Sequence, residues 1–237
     1  MRVVTWNCQG GFRHKANAIL KVKPDVLCIQ EIESPDGIDF SKHIAEPNSF
    51  VWYGEGKGKG LGVLSYNSAS VSKIEPHNKL FRHVLPVECV IDNLKMNIFN
   101  VWTKQKRKSE SHDLTYIDYV IEALPFYSDL NYEKSMFIGD FNADTVVTTG
   151  QRFEKAISLF ESYGMKSLYH EYSKSHFNEE KQPTSYHRRD IKKPFHIDYA
   201  FSSKYFIDRT ERVEIGTFED WGDLSDHMPI ILDFNHL

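Results

Sequence analysis

The run DVLCIQE (residues 25–31) is apolar at Val26, Leu27, Cys28 and Ile29 in succession. A strand of that kind has no polar face to offer water, so it must be covered on both sides. SMFIGD (135–140) reads as a second buried strand through Met136, Phe137 and Ile138. Most of the other apolar runs are also strand-length and follow one another: RVVTWN, FVWYGEG, GLGVLSYN, ASVSKIE, RHVLPVECVI, KMNIFNVW, HIDYAFSS, ERVEIG and MPIILDF. Three segments have helical spacing instead. HKANAILKVK places Ala16, Ile19 and Leu20 on one face and is stopped by Pro24. Ser111 can cap a helix running to about Leu124, with Leu114, Ile117, Ile121 and Leu124 on one side. QRFEKAISLFESYG turns Phe153, Ala156, Ile157 and Phe160 inward and ends at Gly164. Strands that outnumber helices and run consecutively predict an α+β fold, with sheets packed face to face and helices outside.

At 237 residues, 41% hydrophobic and 14% aromatic, the chain can fill a substantial core. It shows no repeat, low-complexity tract or linker, so one domain spanning 1–237 is the simplest partition. The mean hydropathy of −0.48 indicates a well-solvated surface. No apolar run approaches the roughly 18 residues a membrane helix needs, and MRVVTWNCQGG lacks the apolar segment of a secretory signal. Cys8, Cys28 and Cys89 are scattered, which fits neither a disulfide framework nor a CxxC metal site. The expectation is a soluble, cytoplasmic, monomeric protein without a membrane partner. A net charge of −4 and a pI near 6.3 argue against a globally basic nucleic-acid binder. Basic residues nevertheless cluster in TKQKRK (103–108) and HRRDIKK (187–193). The glycines at 56, 58, 60 and 62 do not form a nucleotide loop, because no Gly-Lys-Ser/Thr ending or helix follows them.

Polar residues recur at strand ends. The first strand ends at Asn7 and the second at Gln30-Glu31. SMFIGD leads into Asp140, Asn142 and Asp144, with Gly139 read as permitting the turn. Asp198 lies within HIDYAF, and Asp226-His227 precede the last apolar run. One acidic strand end is ordinarily a cap or turn. Carboxylates, amides and an imidazole gathered at one sheet edge would make a site for a hard cation such as Mg²⁺ or Mn²⁺, which prefers oxygen ligands.

TWNCQG, PDVLCIQE, GDFNAD, HIDYAF and SDHMPI, in this order from residue 5 to residue 230, resemble the motifs of the endonuclease/exonuclease/phosphatase family, with its DNase I-like four-layer α/β/β/α sandwich. The resemblance implies metal-dependent hydrolysis of phosphate esters. It implies Glu31 as the main metal ligand, with Asn7 near metal and phosphate and Asp226 as a metal-side carboxylate. It implies Asp140 as the group that orients or deprotonates the attacking water, Asn142 as a holder of phosphate or water, and His227 as a catalytic histidine oriented by Asp198. Gln9 stands where many members place an acid. Trp102 stands where many place a histidine or tyrosine at the scissile phosphate, and indole cannot serve as a general acid. Lys104, a metal-bound water or His227 would then take that step. Tyr186 in PTSYH is a candidate stacking residue, with a packed loop aromatic as the equal alternative. Arg188 and the other cations near the active edge would attract a phosphate-rich substrate. Asp144 has no counterpart in the motif and reads as a turn residue. His187 and His196 flank the region without a motif role. The implied function is a Mg²⁺- or Mn²⁺-dependent phosphodiesterase, most simply a nuclease on DNA or RNA. The alternatives are a phosphomonoesterase on inositol phosphates or another small phosphorylated metabolite, and a non-catalytic nucleic-acid or protein-binding module on the same fold.

Overall fold

Alternation along the strands sorts the buried side chains into three layers. Val3 of the first strand faces one layer and Val4 another; Met136 and Ile138 face one way and Phe137 the other. The computed structural model describes residues 1–55, 58–75, 77–105, 111–146 and 150–235. Its strands are β1 (Arg2–Asn7), β2 (Val26–Ile32), β3 (Ser49–Gly54), β4 (Gly60–Ser65), β5 (Ala69–Lys73), β6 (Val84–Ile91), β7 (Leu94–Trp102), β8 (Ser135–Asp140), β9 (Met165–Ser167), β10 (Ser185–Tyr186), β11 (Pro194–Phe195), β12 (Asp198–Ser203), β13 (Thr210–Ile215) and β14 (Ile230–Phe234). One six-stranded sheet runs β13-β14-β1-β2-β4-β3 and the other β5-β6-β7-β8-β12-β9, with β10 and β11 forming a small ribbon. Both large sheets are mixed, because β1 pairs with β2, and β7 with β8, in parallel.

The sheets face each other across Val26, Cys28, Val63, Val87, Ile98, Ile138 and their neighbours. Outside the first sheet, Val4, Leu27 and Ile29 pack on Phe12 and on Ile19 of helix α1 (Ala16–Leu20). Outside the second, Phe99, Phe137 and Phe201 pack on helices α2 (Asp118–Phe126) and α3 (Gly150–Ser162). Phe137 stacks on Phe99 at 4.1 Å and Phe201 on Phe160 at 4.1 Å. This is the expected α/β/β/α sandwich. Its consecutively apolar strands are covered on both faces, each fully buried large side chain contributing about 1.5–3 kcal/mol.

Several local expectations change. The first helix covers only Ala16–Leu20, after a 3-10 turn at Phe12–His14, because the chain leaves helical geometry at Lys23 (φ 55°) to enter β2. The second helix begins at Asp118, not beyond a cap at Ser111. Tyr116 at φ 47° interrupts any helix there, and the Asp118 carboxylate accepts the Thr115 N–H. The short strands β9, β10 and β11 had no periodic signal. Gly139 does not make a turn. It lies inside β8 at φ 140°, where a Cβ would fall 2.1 Å from the Val101 carbonyl oxygen and 2.9 Å from Gln30 Nε2. The glycine lets β7 and the Gln30 amide approach β8 closely. Gly139→Ala should therefore cost roughly 3 kcal/mol, or about 6–12 °C in Tm for a chain of this size. A thermal melt within a degree or two of the parent would show that the strands can separate freely.

Candidate active site

The residues facing the inter-sheet layer turn polar at one end. In β1 the inward series passes from Val3 to Thr5 and Asn7; in β2 it passes from Cys28 to Gln30, and in β7 from Ile98 to Asn100. Just inside the edge, Gln30 Nε2 donates to Thr5 Oγ1 (2.9 Å) and Asn100 Oδ1 (2.6 Å). Asn100 Nδ2 donates to the carbonyls of Ile29 and Gly62, joining the two sheets. Register then sets Trp102, Asp140 and Asp198 side by side on β7, β8 and β12.

At the edge, His227 Nδ1 donates to Asp198 Oδ2 (2.9 Å) and Oδ1 (3.1 Å), and His227 Nε2 lies 3.9 Å from Asp140 Oδ2. Asp140 Oδ2 accepts from Asn7 Nδ2 and Asn142 Nδ2, both at 2.9 Å, and its Oδ1 accepts the Asn142 N–H at 2.9 Å. Asn7 Nδ2 also donates to Glu31 Oε1 at 3.2 Å. Asn7, Asp140, Asp198 and His227 are all buried. Burial pushes the Asp140 carboxyl above the usual carboxylate range, and Asp198 adds to this while His227 and the amide donors oppose it. Burial alone would lower His227, but the carboxylates of Asp198 and Asp140 outweigh it and hold the imidazolium well above its ordinary range.

The supports are local and specific. The Ser225 hydroxyl donates to the Asn7 carbonyl (2.7 Å) and accepts the His227 N–H (3.1 Å), while Trp6 Nε1 donates to the His227 carbonyl (2.8 Å). Thr184 Oγ1 accepts the N–H groups of Ile197 and Asp198. Beyond Asp140 the chain turns at Asn142 (φ 46°), whose amide also donates to the Thr103 carbonyl at 2.8 Å. Glu31 occupies a β-bulge in β2 at φ 61°, and Gln9 sits at φ 55°. Bulges and left-handed non-glycine residues re-aim side chains and concentrate at functional sites.

Asp140, Asn142, Asp198, His227, Asn7 and Glu31 are thus joined by hydrogen bonds and charge. Asp226 is half-buried beside His227, on which its charge acts, and its carbonyl accepts the Tyr186 N–H (2.7 Å). The Tyr186 ring packs on Phe218 at 4.7 Å, which favours its reading as a packed loop aromatic. Arg188 is exposed; its neighbour Arg189 is the residue that reaches the site, donating to Gln9 Oε1 at 2.6 and 3.1 Å. Asp144 accepts the Val146 N–H at 2.7 Å, a local turn. His196 is buried, with Nδ1 on the Gln182 carbonyl. Lys106, Arg107 and Lys108 lie outside the described residues.

Lys104 places its ammonium 3.7 Å from the Trp102 ring, and both line a cavity together with Glu55, Lys59, Arg82 and His83. His83 and Lys59 were not anticipated. His83 Nδ1 donates to the Trp102 carbonyl at 2.8 Å and its Nε2 accepts from Arg82 at 3.3 Å. An imidazole therefore stands next to the tryptophan. The signal for it was the two-residue Asp92–Asn93 turn: with Ile91 facing Leu94, counting back sets His83 opposite Trp102.

Asp140, Asp198 and His227 offer ligand atoms within 4.8 Å of one another and could by that measure hold a cation. His227 Nδ1 is already committed to Asp198, and Asn7 Oδ1 accepts the Gln9 N–H at 3.0 Å, so carboxylate oxygens such as those of Glu31 are the donors that suit a hard cation better. Lys59 Nζ lies 2.5 Å from Glu31 Oε2, so that carboxylate already holds a positive charge. Among the described residues no helix is long and apolar enough to cross a membrane.

No curated protein matches the chain in sequence. Solved structures do match in fold. A 3′ phosphatase, NExo, from Neisseria, bound to a product DNA hairpin, is 16% identical with a TM-score of 0.69 over 100% of both chains. The AP endonuclease LMAP from Leishmania major is 14% identical with a TM-score of 0.71, over 100% of this chain and 88% of that one. TDP2 from D. rerio, complexed with a single-strand DNA product, is 17% identical with a TM-score of 0.69, over 100% and 99%. The Endonuclease/Exonuclease/phosphatase family model matches residues 4–227. With the motif order, the sandwich and the clustered strand ends in agreement, the chain belongs to the Endonuclease/Exonuclease/phosphatase family and carries its phosphoesterase fold.

Proposed function

We propose that the chain hydrolyses phosphodiesters with a hard divalent cation, Mg²⁺ or Mn²⁺, and that its substrate is DNA or RNA. The observation that carries this reading is the continuous path from Asp198 through His227 to Asp140, and from Asp140 through Asn7 to Glu31. Asp140 is the base for the attacking water. Its position is held by three N–H donors, and its raised pKa makes the carboxylate a better proton acceptor. Asn142 orients Asp140 by two of those bonds. His227, kept protonated by its two carboxylate neighbours, donates to a phosphate oxygen as negative charge builds there. Asp198 fixes its orientation through Nδ1. Glu31, Asn7 and Asp226 are the residues that would hold the cation. When bound, such a cation offsets charge on the non-bridging phosphate oxygens.

Trp102, Lys104, Arg189 and Gln9 line the approach. The DNA products in the NExo and TDP2 structures support nucleic acid as the substrate class, as do the cations at the rim. Phosphomonoester hydrolysis is the second reading, favoured by the phosphatase among the structural neighbours. A panel of DNA, RNA, bis-p-nitrophenyl phosphate and inositol phosphates, each with Mg²⁺ or Mn²⁺, separates these. Turnover confined to monoesters would overturn the nuclease reading. No turnover together with no metal binding would leave a binding module. Glu31→Gln should raise the Mg²⁺ concentration for half-maximal rate by at least ~10-fold, measured by metal titration of initial rates.

A further inference from the structure

The carboxylate of Glu31 is already neutralised from within the chain. Its Oε1 accepts from Asn7 and its Oε2 from Lys59, at 2.5 Å. Lys59 comes from the connection between β3 and β4, one residue before Gly60. Its stem crosses the β1–α1 turn at Gly10, where a Cβ would sit 2.7 Å from Lys59 Cε. Glycine at that point is what leaves room for the lysine to reach Glu31. The pair is reachable by water, with side-chain exposures of 49% for Lys59 and 19% for Glu31. It can therefore open without unfolding the site. Two further cations sit on the same turn, each bonded to neutral oxygen: Lys15 on the Cys8 carbonyl at 2.6 Å, and Arg189 on Gln9 Oε1. Neither is bonded to Glu31; among the described residues Lys59 is the cation that is.

We propose that Lys59 is a resident counter-cation of Glu31 that a divalent metal must displace, so that metal affinity is set by exchange between the two. This rests on the reading of Glu31 as a metal ligand. The physical basis is direct. An anionic oxygen in a charge-assisted hydrogen bond with an ammonium gives up that bond before it can serve a second cation. The carboxylate is spared the cost of standing alone in a half-buried bulge. Once displaced, the ammonium stays tethered beside Gly10, where it adds to the charge of Lys15 and Arg189.

The test is a Mn²⁺ titration of the full chain without substrate, followed by isothermal calorimetry or by the electron paramagnetic resonance signal of free Mn²⁺. Lys59→Met should tighten Mn²⁺ binding by at least ~5-fold, the scale for a half-exposed charge-assisted bond. Lys15→Met removes one positive charge from the same turn without touching Glu31, and should change affinity by less than ~2-fold. In the Glu31→Gln background, Lys59→Met should no longer tighten binding. Equal, measurable Kd values for the parent and Lys59→Met would overturn the exchange while leaving the metal-dependent reading intact. An equal tightening in Lys15→Met would reduce the effect to general charge and also overturn it. No Mn²⁺ binding in any of these proteins would overturn the exchange and the metal-dependent function together.

Discussion

Replacing Asp140 with Asn is expected to lower phosphate-ester turnover by at least ~10²-fold while the protein stays folded. The amide cannot take a proton from water. It also presents an NH₂ to neighbours that already donate, since Asn7 and Asn142 both direct N–H groups at Asp140 Oδ2. Burial disfavours the Asp140 charge, so removing it relieves a desolvation cost and offsets part of the lost hydrogen bonding. Initial rates at saturating metal, with a thermal melt alongside, read out the two effects separately. A variant retaining near-parental rates would mean that another group activates the water.

His227→Ala should lower turnover by a similar factor, at least ~10²-fold, through loss of the donor aimed at developing phosphate charge. Alanine also leaves Asp198 buried without its imidazole partner, so a stability loss accompanies it. His227→Gln supplies a neutral donor and should recover stability without recovering rate. A Gln variant as fast as the parent would show that charge on residue 227 is irrelevant. The pH profile gives an independent check. Asp140 must be ionised to act, and its pKa is raised, so kcat/KM climbs with pH along a limb above the ordinary carboxylate value of about 3.9. His227 must be protonated, and its pKa is raised, so kcat/KM falls along a limb above the ordinary imidazole value of about 6.5. With a divalent cation bound nearby, the ascending limb shifts to lower pH. The two limbs belong to the coupled group as a whole. Asp198→Ala removes the nearest carboxylate and should move the descending limb to lower pH; an unmoved limb would remove Asp198 from the role of orienting His227.

Much of the sandwich was legible because its strands are short, apolar and bounded. The apolar run Val26–Ile29 suits a strand covered on both faces: Phe12 and Ile19 lie against one face and the second sheet against the other. Helix limits were less legible, since Ser111 and Asp118 are both acceptable starts and the choice fell to Tyr116 at φ 47°. Gly139 followed by Asp140 and Asn142 looks like a turn in sequence, whereas its role is set by the Val101 carbonyl on the adjacent strand.

The candidates could be found in sequence because each lies at or near the end of an apolar strand, and strand parity carries two of them onto a common face: Asn7 continues Val3 and Thr5, Asp140 continues Met136 and Ile138. Period-2 geometry makes that a local property of the chain. The contacts of Lys59 with Glu31 and of Arg189 with Gln9 are not local: they join segments separated by 28 and 180 residues, and no periodicity reports them. The sequence by itself determined which chemistry stands at the strand ends. Only the packing of two sheets decided which cations stand against it, because loop side chains take their positions from the ends of the strands that carry them.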